Sequence, residues 1–254
     1  NISGLTGVDT RSLTLHIRNR GAMRGLILSQ SEFEVLRPNR VQPFADLPKF
    51  EKRDLILEVS TKEPSWFTQK GKKTVVALDF GIKLNLLRDL AERGLKIYVM
   101  PAQSKLQDIM AIAPDGIFLS NGPGDPAAAK YAVETIKGLL GKMPIFGVCM
   151  GHQLLALALG AKTFKMKFGH RGVNQPVMNL KTRSVEISSH NHGYAVDPKT
   201  LPSTALMTHQ NLNDKCCEGL DCPTLKAFSV QYHPESAPGP HDSAYLFDKF
   251  VSLL

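Results

Sequence analysis

From residue 74 to residue 159, short apolar runs alternate with segments of helical spacing, and few folds accept that pattern. Residues 74–79 (TVVALD), 95–100, 116–120 and 145–148 read as strands without the polar alternation of a half-exposed sheet. Between them lie helical segments at 82–93 (Leu84, Leu87 and Leu90 on one face), 105–113, 127–140 and 150–159. Strands apolar on both faces need cover on both faces, and a helix after each strand brings the next back parallel. The spacing predicts an α/β chain with a doubly wound parallel sheet. In such sheets function gathers at the carboxyl ends of the strands. Beyond Gly160 the strands are less regular, at 163–168, 185–189, 205–208 and 227–232, and a helix at 243–254 closes the chain.

The front is different in texture. Asp9 or Thr10 can cap a helix bearing Leu13 and Ile17, ended by Gly21, and a strand-like run follows at 26–28. From Ser29 to about Lys73 the text is polar, with Pro38, Pro43, Pro48 and Pro64, and reads as irregular structure and linker. We therefore divide the chain into residues 1–71, part of a small α/β domain plus linker, and residues 72–254, the main domain. The chain starts at Asn1, so a fragment or processed form is expected. The compartment expected is the cytoplasm, with a plastid or other organellar address left open.

Composition removes several function classes. Hydrophobic residues at 43% and charged residues at 21% are globular values. No apolar run reaches the roughly 18 residues of a membrane span. The net charge of +8 first suggests nucleic acid, but the basic residues are scattered and only 7% are aromatic, so no stacking surface is encoded. Cys149, Cys216, Cys217 and Cys222 make no disulfide framework, which points to a reducing compartment. The last three are expected on an Asn/Asp-rich loop, at a spacing that fits no zinc motif. His190 and His192 could be a metal pair, but no carboxylate follows at ligand spacing, so no metal is expected.

The sharpest local feature is Gly147-Val148-Cys149-Met150-Gly151. A strand runs into the cysteine, a helix starts after it, and the flanking glycines permit a tight strand-to-helix elbow. The helix start adds partial positive charge that favours a thiolate. A thiol nucleophile needs a base, and the base an orienting group. Gln231-Tyr232-His233-Pro234-Glu235 offers both, since residues two apart in extended chain project to one side. Oxyanion donors are expected from the Met150 amide and from the loop Ser120-Asn121-Gly122-Pro123-Gly124 at the end of the third strand.

GVCMGHQ, QYHPE and SNGPGDP together resemble the triad (class I) glutamine amidotransferases. GVDTR, ALDFGIKLNLLR, KFGHRGVNQP, SHNHGYAVD and PGPHD make the chain similar, within that class, to the small, glutamine-hydrolysing subunits of carbamoyl-phosphate synthases. The resemblance implies a flavodoxin-like glutaminase domain with Cys149 as nucleophile, His233 as acid–base and Glu235 as its orienter. It implies Gly122 and Met150 at the oxyanion and Gly124, Gln153, Asn191, Gly193 and Tyr194 around the glutamine. The family's front segment, which supplies a serine to that pocket, is not among these residues, so an incomplete pocket is expected. The implied partner is a large synthetase subunit, in a heterodimer, that carries ATP, bicarbonate and magnesium for pyrimidine or arginine synthesis. No cofactor is expected in this chain. The rival readings are a cysteine peptidase, an amidotransferase serving another synthase, and a non-catalytic assembly or regulatory subunit.

Overall fold

In the computed structural model, residues 4–39 and 53–254 are described. Helix α1 (Thr10–Arg20) starts where the Asp9 carboxylate accepts the Ser12 N–H and stops where Gly21, at φ 96°, returns its N–H to the Ile17 carbonyl. Both caps follow the sequence reading. The expected strand at 26–28 does not form. In its place α2 (Gln30–Leu36) follows, opened by a capping box in which Ser29 and Glu32 satisfy each other's backbone N–H. That signature lay in the text read as irregular. The linker expectation for 40–52 lies outside the described residues. Helix α3 (Ile56–Val59) is short and turns Ile56 inward.

Strand β1 (Ser65–Thr68) lies ahead of the boundary expected at 71/72, yet it already joins the sheet. It runs antiparallel to β3 with Trp66 against Tyr98, ring centroids 4.9 Å apart. The predicted alternation follows as β2 (Lys73–Asp79), α4 (Leu84–Glu92), β3 (Leu95–Pro101), α5 (Leu106–Ala111), β4 (Gly116–Leu119), α6 (Lys130–Leu139), β5 (Ile145–Val148) and α7 (Met150–Ala158). Strands β3, β2, β4, β5 and β10 (Ala227–Val230) lie side by side and parallel, the flavodoxin-like order.

Period-two alternation splits these strands between two cores. Val76, Leu78, Ile117, Leu119 and Ile145 face α5, α6 and α7. Val75, Ala77, Phe118, Phe146, Val148 and Phe228 face α4 and the last helix, α8 (Tyr245–Leu253). Phe146 stacks on Phe228 at 4.5 Å between centroids and meets Phe247 edge-on.

The sheet then continues antiparallel through β9 (Cys217–Cys222), β7 (Val185–Val196), β6 (Thr163–Asn179) and β8 (Leu206–Asn211). Two strands are far longer than the sequence suggested, because Gly169 and Gly172, both at positive φ, carry β6 through irregular register where an apolar run cannot be read. The expected loop at Cys216–Cys222 is mostly strand. Asn213 and Asp214 lie in the turn after Asn211, ahead of that segment, and Cys217 and Cys222 are buried in β9.

Candidate active site

The carboxyl ends of β2, β4 and β5 meet in one cleft. Asp79, closing β2, accepts the N–H groups of Thr61, Gly81 and Ile82. Ser120 Oγ accepts from the Phe80 N–H, and Asn121 bridges from the Lys83 N–H to the Gly81 carbonyl. These bonds weld the loop after β4 to the loop after β2. A β-carbon at Gly122 would sit 2.9 Å from the Phe80 carbonyl carbon, so only glycine lets the loops approach this closely.

At the end of β5 the chain turns on Cys149, at φ 54° and ψ −101°, a conformation that costs an ordinary residue about 1–3 kcal/mol. The turn is held from three directions. The Cys149 N–H reaches the Val230 carbonyl, the Gly151 N–H reaches Ser120, and the Gln153 N–H returns to Cys149. A β-carbon at Gly147 would lie 2.8 Å from the Gly151 carbonyl carbon, and one at Gly151 would lie 2.7 Å from the Leu119 carbonyl carbon. The two glycines are thus required by close approach of α7 to β4 and β5. Met150, the first residue of α7, lines the cavity beside Cys149, at a helix start whose first N–H groups have no intrahelical partner.

His233 and Glu235 arrive by a different route from the one expected. Strand β10 ends at Val230. His233 makes an isolated antiparallel bridge with Ser189, its N–H on the Ser189 carbonyl, and Glu235 lies in the turn that follows. The turn, not extended chain, sets His233 Nδ1 2.8 Å from Glu235 Oε1. Burial alone depresses the His233 ring, but its hydrogen bonds to Cys149 and Glu235 outweigh that and push it up to about 10. For Glu235 burial works upward, and His233 and Lys83 overcome it to hold the carboxyl below its usual range.

Lys83 is the residue that sequence reasoning missed. Its ammonium lies 3.1 Å from Glu235 Oε1 and donates to the Ser236 carbonyl. Its signal was present in ALDFGIKLNLLR, where a lysine directly precedes α4, but no spacing ties it to a carboxylate so far along the chain.

A cavity of about 390 Å³ opens over the sulfur. It brings together Cys149, His233, Gly122, Gly124, Met150, Gln153, Asn191, Gly193 and Tyr194, and adds Arg171 and His192. Glu235 stands behind His233, outside the lining. Gln153 is buried, and its Nε2 is committed to the Tyr194 carbonyl at 2.8 Å and to Gln231 at 2.9 Å. It therefore fixes the β7 wall as well as facing the cavity.

The model of the class-I glutamine amidotransferases matches residues 76–253, and the chain belongs to that family. The solved structure of a GMP synthase protein from Thermoplasma acidophilum shares the fold, with a TM-score of 0.60, 19% identity, and cover of 72% of this chain and 94% of its own. Within the class the chain groups with the small chains of carbamoyl phosphate synthase. The small chain of Syntrophotalea carbinolica is 50% identical over 267 residues, covering 100% of this chain and 70% of its own. The chloroplastic small chain of Oryza sativa is 48% identical over 264 residues, covering 100% and 59%. That of Thermus thermophilus is 47% identical over 263 residues, covering 98% and 66%. The chain thus spans between 59 and 70% of the length of these relatives.

Proposed function

We propose that this chain hydrolyses the side-chain amide of L-glutamine at Cys149 and passes the ammonia to a large synthetase chain that makes carbamoyl phosphate. The observation that carries the reading is that Cys149, Met150 and His233 line one cavity while Glu235, behind His233, holds its Nδ1 at 2.8 Å. In the proposed first half-reaction the Cys149 sulfur attacks the amide carbon, and the oxygen takes the developing charge against the Met150 N–H and the Gly122 loop. His233 gives its proton to the departing nitrogen, ammonia leaves, and a thioester remains. In the second, water attacks the thioester while His233 takes a proton, and glutamate is released with the sulfur regenerated. Glu235, itself held by Lys83, keeps the imidazole aimed throughout. Gly124, Gln153, Asn191, Gly193 and Tyr194 hold the amino acid head of glutamine in this reading.

ATP, bicarbonate and magnesium belong to the partner, and the product feeds pyrimidine or arginine synthesis. Among the described residues no helix is long and apolar enough to cross a membrane. We place the chain in the cytoplasm or, like relatives named chloroplastic, in a plastid. The test is Cys149→Ser in the complex with the synthetase chain. Glutamine-dependent carbamoyl phosphate synthesis should vanish while synthesis from an ammonium salt persists. Equal loss of both sinks the ammonia-donor reading.

A further inference from the structure

Behind the cavity, three imidazoles and a carboxylate converge from three strands. His170 of β6, His190 and His192 of β7, and Glu218 of β9 each bring one donor atom to a common point, all within 4.8 Å of one another. All four are buried, Glu218 completely. The sequence offered no carboxylate near the His190–His192 pair, but the sheet supplies one, because β9 lies beside β7.

Hydrogen bonds on the outer side of each ring assign the tautomers. His192 Nδ1 donates to the Tyr194 carbonyl at 2.8 Å, which leaves Nε2 as a lone pair. Ser188 Oγ gives its one proton to the Gln175 carbonyl, so at 2.8 Å it accepts from His190 Nε2, and His190 Nδ1 is also a lone pair. Those two lone pairs face each other at 3.2 Å. His170 Nε2 is committed to Asp214 at 2.8 Å, and Asn211 donates to Glu218 Oε1 at 3.2 Å. That leaves Glu218 Oε2 without a hydrogen bond among the described residues, and His170 Nδ1 facing the Glu218 carboxylate.

Four inward-facing donors, two of them lone pairs in mutual contact, call for a positive centre. Across the cluster His190 Nδ1 is 3.8 Å from Glu218 Oε2, and His170 Nδ1 is 3.2 Å from Glu218 Oε1. A tetrahedral ion with bonds of about 2.0–2.1 Å has ligand–ligand edges of about 3.4 Å. Far nitrogens tied to a carbonyl, a hydroxyl and a carboxylate are the arrangement that orients ligating histidines.

We propose that His170, His190, His192 and Glu218 bind one divalent transition-metal ion of the zinc type, clamping β6, β7 and β9 behind the glutamine cavity. Three imidazoles with one carboxylate favour zinc, cobalt or nickel over magnesium or calcium. His192 lies between Asn191 and Gly193 and lines the cavity itself, so the ion braces that wall.

The test is metal binding by the complete chain, stripped with chelator, loaded with Zn²⁺ or Co²⁺ and desalted. One equivalent per chain should remain, and the Co²⁺ form should show tetrahedral d–d absorption without a thiolate-to-cobalt band. His190→Ala and Glu218→Gln should each weaken Zn²⁺ at least tenfold, and Ser188→Ala, which leaves every ligand in place, roughly 10–100-fold. Circular dichroism identifies any variant that fails to fold, in which case Ser188→Ala decides. Because Cys216 shares His170 and Asp214 in a neighbouring cluster, Cys216→Ser is the control and should change nothing. Failure to retain an equivalent, a thiolate band, loss of binding in Cys216→Ser, or unchanged affinity in His190→Ala or Ser188→Ala would each overturn the site.

Discussion

Replacing Gly151 by alanine tests whether close packing of α7 on β4 is what builds the elbow. The added β-carbon would lie 2.7 Å from both the carbonyl carbon and the Cβ of Leu119, and nearer still to the carbonyl oxygen. That is roughly 1 Å inside the usual 3.5–4.0 Å separation. Leu119 is fully buried in a central strand, so α7 must give way. Overpacking of this kind costs about 1–3 kcal/mol. For a chain of this size that lowers Tm by roughly 2–12 °C. The displaced first turn carries the Met150 N–H, and a shift near 1 Å at reacting groups costs on the order of 10²-fold in rate. Scanning calorimetry and coupled glutamate release measure the two effects. Gly193→Ala is the contrast. Its β-carbon meets only Arg171 Nη2 at 3.8 Å, so Tm should hold while KM for glutamine rises as the cavity narrows. An unchanged Tm and kcat in Gly151→Ala would refute the packing argument.

The alkaline limb of kcat/KM should follow His233. Its raised folded value means that stabilisation from the protonated ring is complete below about 6.5 and is lost as pH rises through about 10. Glu235→Gln should move that limb to lower pH, and a profile identical to the parent's would contradict the pairing. His233→Ala should cost roughly 10²–10⁴-fold in glutamate release, and retention of a tenth of the rate would break the assignment. Burial pushes the Cys217 thiol up to about 12 and the Cys222 thiol up to about 11, and raises Cys216 as well. Iodoacetamide at neutral pH should therefore label Cys149 first, with protection by glutamine, and peptide mapping that finds equal labelling counts against an activated sulfur. Lys83→Met removes a cation that is one-third exposed, worth about 1 kcal/mol to Glu235, so kcat should fall only about fivefold. A loss as large as that of His233→Ala would place Lys83 in the chemistry itself.

The parallel half of the sheet was legible because its strands are apolar on both faces and its helices carry a stripe, as Val75–Leu78 and Leu86–Leu90 do. The cysteine elbow was legible because Gly147 and Gly151 flank Cys149 within five residues, although only Gly147 is dictated locally, by Gly151, whereas Gly151 is dictated by Leu119 in β4. The antiparallel half was not. Strand β6 runs through two glycines at positive φ, and β9 opens directly after an Asn/Asp turn, so neither carries a clean period. Long-range polar pairs were the other blind spot. Lys83 meets Glu235, and Glu218 meets His190, only because the sheet order makes neighbours of strands far apart in sequence.

The central claim is that the Cys149 sulfur carries the glutamyl group. Acid quench of the complete chain turning over isotopically labelled glutamine, followed by peptide mass spectrometry, tests it directly. The account predicts a labelled thioester confined to the peptide containing Cys149 and absent from Cys149→Ala. Label on a peptide carrying Cys216, Cys217 or Cys222, or undiminished glutamate release from Cys149→Ala, would contradict it.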